Sequence, residues 1–97
     1  MRELSVEQRK FLKGLAHTLK PVVMIGAQGL SEAVIKETGH ALAAHELIKV
    51  RVLGDDRAAR EAWFGELCAA VDAAPVQHIG KLFLLYKPAE KPRIKLP

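Results

Sequence analysis

The stretch Lys20-Pro21-Val22-Val23-Met24-Ile25-Gly26-Ala27-Gln28-Gly29-Leu30-Ser31 decides how the chain is read. Pro21 closes the helix before it, because a proline pushes the preceding residue out of the α region. Val22 to Ile25 is a short unbroken run of apolar, β-favouring residues, the pattern of a strand buried on both faces. Gly26, Ala27, Gln28 and Gly29 form a tight loop. Ser31 then caps a helix, with Leu30 and Ile35 placed as a hydrophobic staple.

A Gly-x-x-Gly loop between a buried strand and a helix has a physical use. Without Cβ atoms the backbone can approach a phosphate chain, and the N–H groups that open the helix are unpaired at the positive end of its dipole. The plain alternative is a strand-to-helix turn that needs positive φ. No Gly-Lys-Ser/Thr follows, so the loop is not a Walker A loop, and it lacks the third glycine of a dinucleotide fingerprint. No nucleotide cofactor is expected.

Upstream, Ser5 and Gln8 fit a capping box, and Phe11, Leu12, Leu15, Ala16 and Leu19 recur at helical spacing, which predicts a first helix over about 5–18. Arg9, Lys10, Lys13, His17 and Lys20 project from the side opposite that stripe and form a basic face. Downstream, the second helix carries Val34, Ile35, Thr38, Ala41, Leu42 and His45 inward, with Lys36 one turn from its start. Leu47 to Val52 alternates, with Ile48, Val50 and Val52 on one face and Leu47, Lys49 and Arg51 on the other. Gly54, Asp55 and Asp56 open a third helix whose apolar side uses Ala59, Trp63, Leu67, Ala70 and Val71, stopped by Pro75. Val76 to Ile79 and Leu82 to Tyr86, joined by Gly80-Lys81, read as a hairpin.

The predicted order is αβαβαββ, an α/β chain of the two-layer α+β type with a mixed four-stranded sheet. Two successive strand, helix, strand units imply parallel neighbours, and the hairpin adds one antiparallel strand. The last strand lacks alternation and is expected to be central. Residues 1–87 form the single domain. Residues 88–97, broken by Pro88, Pro92 and Pro97, leave a flexible, extended basic C-terminal tail whose removal is expected to spare the fold.

The 97 residues carry a net charge of +4 and are 49% hydrophobic, enough to build a core and too much for a disordered tail. The charge is uneven. Residues 1–29 hold five basic and two acidic groups, residues 30–86 six and eight, and residues 87–97 four and one. Positive ends around a negative middle suit a polyanionic partner that reads position rather than total charge. The lack of a long apolar run or an apolar signal core predicts a cytoplasmic protein with no membrane partner.

Enzyme chemistry has few places to sit. Glu37 and His40 are spaced as half a metal pair with no second half, so no metal site is expected. Cys68 lies on the apolar side of the third helix and reads as a small core residue, and His45 as a hydrogen-bonded packing residue. Trp63 reads as core, and so does Tyr86. A ribonuclease using His17 is a distant alternative. No catalytic residue, cofactor or small-molecule substrate is expected.

Taken together, Leu12-Lys13-Gly14-Leu15-Ala16-His17, Lys20-Pro21-Val22-Val23, Ile25 to Ser31, His45-Glu46-Leu47-Ile48-Lys49-Val50, Ile79-Gly80-Lys81 and Leu85-Tyr86-Lys87 closely resemble the CRM domain. More narrowly, the chain is similar to the stand-alone bacterial YhbY-like RNA-binding proteins, over about residues 4–88. The resemblance implies a fold akin to the C-terminal domain of bacterial translation initiation factor three. It also implies RNA binding through the Gly-x-x-Gly loop and association with precursors of the large ribosomal subunit. In plant relatives the domain occurs in organellar intron-splicing factors.

Carried onto this chain, the resemblance gives Gly26, Ala27, Gln28, Gly29 and the capping Ser31 as the loop site. The matching basic positions are Lys13, Lys20, Lys49, Lys81 and Lys87, which add to Arg9, Lys10, His17 and Lys36. Two departures stand out. Ser31 replaces a common threonine and keeps the capping hydroxyl. Ala27-Gln28 has no positive charge where many members place a lysine, so the loop relies on backbone N–H groups and on neighbouring Lys20. The expected protein is a non-catalytic, monomeric RNA-binding protein of ribosome assembly. The alternative is a protein-interaction module that docks an acidic assembly partner through the first helix and tail.

Overall fold

A computed structural model describes residues 2–97. Helix α1 spans Val6–Ala16 and opens on the expected capping box: Ser5 Oγ accepts the Gln8 N–H at 3.1 Å while Gln8 Oε1 accepts the Ser5 N–H at 3.1 Å. It ends two residues earlier than its apolar spacing suggests, because the Leu19 N–H turns back to the Ala16 carbonyl at 3.0 Å in a tighter i, i+3 turn. Strand β1 is Val23–Ile25, α2 is Glu32–His45, β2 is Leu47–Val52, α3 is Arg57–Val71, β3 is Ala74–Ile79 and β4 is Leu82–Tyr86. The order αβαβαββ and the mixed four-stranded sheet are those read from the sequence.

Strand order is β1-β2-β4-β3. β1 and β2 are parallel, whereas β4 runs antiparallel to both β2 and β3. Only the first strand, helix, strand unit therefore gives parallel neighbours. The second carries β3 past one position, and the hairpin folds β4 back into the gap. Central placement of β4 follows, with Phe83, Leu84, Leu85 and Tyr86 all buried. Pro75 does not stop α3, which ends at Val71 with Asp72 in the left-handed region at φ 54°. Pro75 instead lies inside β3, an edge strand that tolerates a missing donor, beside a register shift between Pro75 and Gln77.

Alternation divides the apolar residues into two cores. Val23, Ile25, Ile48, Val50, Val52, Phe83 and Leu85 meet Leu42, Phe64, Leu67 and Cys68 from α2 and α3. These two helices and the sheet form the expected pair of layers. On the opposite face, α1 presses Leu12 and Ala16 onto Leu47, Leu84, Tyr86, Ala74 and Val76.

The segment after β4 is extended but anchored. Glu46, fully buried at the end of α2 with φ 65°, accepts the backbone N–H groups of Ala89 at 3.0 Å, Arg93 at 2.9 Å and Ile94 at 3.1 Å. Ile94 and Leu96 pack against the α1 core. Residues 88–97 thus supply the donors that make a buried carboxylate tolerable, and removing them would strand it. The expected tolerance to truncation is revised accordingly.

Candidate nucleic-acid interface

The loop is built by three local constraints. The Gly29 N–H donates to the Gly26 carbonyl at 3.0 Å, closing a turn with Ala27 and Gln28 exposed at its tip. Ser31 Oγ accepts the Val34 N–H at 3.2 Å, which fixes the start of α2 directly behind that turn. Gly29 is buried with φ +76°, and a Cβ built there would lie 2.9 Å from Trp63 Cζ2. Glycine is required twice over, by backbone conformation and by the indole beneath it. Trp63, read from the sequence as core, is half-buried and supports the loop from α3 as well as packing on the inner core.

The tip precedes the positive end of the α2 dipole, where Ser31 Oγ already takes the Val34 N–H and the exposed Glu32 adds a negative charge to the first turn. Lys36 is exposed one turn further along the same helix.

The remaining basic residues fall into separate groups. Lys20 sits at the entry of β1, whereas the loop leaves its exit. Lys20 lines a groove of about 470 Å³ with Leu15, Leu19, Val22, His45 and Ile94. It is therefore not the immediate neighbour of the loop that adjacency in sequence suggests, since an extended segment of six residues covers roughly 20 Å. His45, expected to pack inward, is exposed at this groove. Lys13 and His17 converge with Lys49, Gln77, Ile79 and Leu82 on a smaller recess on the α1 side of the sheet. Arg9 is half-buried and Lys10 exposed on α1.

Two lysines are engaged within the protein. Lys81 Nζ donates to Asp55 Oδ1 at 2.8 Å, and its ammonium holds the Asp55 carboxyl below the usual value. Lys87 Nζ donates to the Val71 carbonyl at 2.9 Å and satisfies the end of α3.

Other reactive groups are occupied or silent. Cys68 is fully buried and desolvation pushes its thiol up to about 12, so it is a core residue without thiolate character at neutral pH. The His78 ring is wedged against Phe64 and Phe83, with Nδ1 2.6 Å from Glu61 Oε2 and Nε2 3.1 Å from the Gly80 carbonyl. Both of its nitrogens are used in structure. No three His, Cys, Asp or Glu side chains gather as metal ligands among the described residues, and none of their helices is long and apolar enough to cross a membrane. Burial pushes the Tyr86 phenol up, and the Glu46 charge adds to that shift.

Sequence reading missed Glu46, whose partners lie more than 40 residues away, and His78 of β3, whose acid sits on α3. Neither pairing leaves a local spacing signal. It also missed how α1 leaves part of the sheet open, which is visible only once strand order is known.

Comparison with known proteins places this arrangement among relatives. The chain is 48% identical over 97 residues to an RNA-binding protein of Haemophilus influenzae, covering 100% of this chain and 98% of that one. It is 36% identical to "Probable RNA-binding protein YqeI" of Bacillus subtilis, over 97% of this chain and 99% of the relative. The solution structure of SAV1595 from Staphylococcus aureus superposes with a TM-score of 0.85 at 34% identity, covering 97% of this chain and 99% of that one. Residues 4–87 match the model of the CRS1/YhbY (CRM) domain, and the chain belongs to that family.

Proposed function

We propose that the chain is a non-catalytic RNA-binding protein that contacts ribosomal RNA in precursors of the large ribosomal subunit, in the cytoplasm and as a monomer. The observation that carries the reading is the exposed Ala27-Gln28 tip, held by Gly29 on Trp63 and placed at the start of α2. Such a tip offers backbone donors to a sugar-phosphate chain, and the basic face of α1 with Lys36 adds sequence-independent attraction. The names of the Haemophilus and Bacillus relatives support RNA as the partner. The ribosomal target rests on the family resemblance.

Crosslinking in cells followed by sequencing of the bound RNA tests class and target together. Reads concentrated in large-subunit ribosomal RNA and its precursors are expected. Recovery of no RNA above background, with a protein partner that survives nuclease treatment, would favour docking to an acidic assembly factor instead.

A further inference from the structure

Strand register creates a second surface beside the loop. Met24 of β1 lies next to Arg51 of β2, Arg51 lies opposite Leu82 of β4, and Leu82 lies opposite Ile79 of β3. Partners in register share a face, so these four form one row across all four strands, about 14 Å wide at the usual strand spacing. The row is on the α1 side, yet α1 is anchored over Leu47, Leu84, Tyr86 and Val76 and reaches only the Leu82–Ile79 end, where Lys13 and His17 share a recess with those two residues. Met24 is 54% and Ile79 53% exposed, Arg51 is exposed and Leu82 half-buried.

The row exposes apolar side chains at both ends, Met24 and Ile79, with Arg51 between them, and an occupant would remove that apolar surface from water. The row's charge selects one. Lys13 and Lys49 edge the row through the recess they share with Ile79 and Leu82. Among the described residues no carboxylate pairs with Lys13, Lys49 or Arg51, whereas Lys81, Arg2 and Arg93 all have acidic partners. Three unneutralised cations among aliphatic side chains set in one row match a chain of phosphates carrying unsaturated rings. Met24 is two residues before Gly26, so the row begins where the loop begins.

We propose that this open row is a platform for unpaired nucleotides, continuous with the loop. Bases lie on Met24, Leu82 and Ile79, the Arg51 guanidinium stacks on or between them, and Lys13 and Lys49 take the phosphates. A duplex hides its base faces, so the row distinguishes single-stranded RNA from paired RNA, whereas the loop reads backbone in either form. The inference rests on the RNA reading above.

The test measures affinity of the full chain for an unstructured RNA of about ten nucleotides and for a duplex of the same length. Four proteins are compared: wild type, Met24→Ser/Ile79→Ser, Arg51→Gln, and the loop variant Ala27→Asp/Gln28→Asp. Both row variants change exposed side chains, and circular dichroism checks their folding. Each is expected to weaken single-strand binding by about tenfold or more and duplex binding by less than about twofold, on the scale of losing one or two base stacks. Row variants that bind the single strand like wild type, while the loop variant loses both RNAs, would overturn the platform and leave the RNA reading intact. Equal loss on both RNAs would reduce the row to general electrostatics and overturn it too. A wild type that binds neither RNA would remove the RNA reading, and the platform with it.

Discussion

Glu46 shows how much one residue can organise without leaving a mark in its own neighbourhood of sequence. Burial alone would raise its pKa, but the N–H groups of Ala89, Arg93 and Ile94, together with the Arg93 charge, hold it below the ordinary 4.5. A carboxyl with a lowered folded-state pKa contributes stability that is complete above its unfolded value and lost as pH falls through the folded one. The clasp on residues 89–94 should therefore hold at neutral pH and open on acidification below about pH 4.5. Glu46→Gln should cost about 2 kcal/mol at neutral pH, roughly 10 °C in Tm, by replacing charge-assisted bonds with neutral ones and leaving an amide donor in the clasp. The variant should also lose the acid-sensitive part of the melting profile. Amide exchange at Ala89, Arg93 and Ile94 followed against pH decides the matter, and identical profiles for both proteins would show that Glu46 does not hold the segment.

At the scale of elements, local pattern was a good guide wherever it was self-contained. Ser5 with Gln8 and the alternation of β2 each specify their own conformation and formed as read, whereas the apolar run of β1 formed a strand that is not buried on both faces: Val23–Ile25 is an edge strand with Met24 exposed on its other side and Val22 exposed before it. The Gly-x-x-Gly loop was legible as a turn before a helix, but its support was not, because Trp63 approaches from a helix more than 30 residues away. That support makes Gly29 the sensitive position of the loop. Gly29→Ala should cost roughly 1–2 kcal/mol from the left-handed backbone, with more if the indole must move. The single Trp63 reports the change directly, through a shifted fluorescence maximum as the ring is displaced. Gly26→Ala is the control: nothing lies within 4 Å of a Cβ built there, and its stability should change little. Equal effects at the two glycines would contradict a role for the Gly29 contact.

Over the whole molecule, strand order decides which surfaces are available, and strand order was the part least legible in sequence. Two strand, helix, strand units can place their strands as neighbours or leave a gap, and only the return of β4 between β2 and β3 settles it. That choice aligns Met24, Arg51, Leu82 and Ile79 in one row. Net charge of +4 says little about such an arrangement, whereas its concentration in residues 1–29 and 87–97 around an acidic middle makes position decisive. A phosphate contact releases condensed counterions, so the number of contacts is read from the slope of log affinity against log salt. The most direct test is an RNA titration of wild type and of Ala27→Asp/Gln28→Asp across salt concentrations, with Tm measured on both. Affinity should fall steeply with salt for wild type and be at least tenfold weaker for the loop variant, at nearly unchanged Tm. A salt-insensitive affinity, or a folded loop variant that binds as tightly as wild type, would contradict the account.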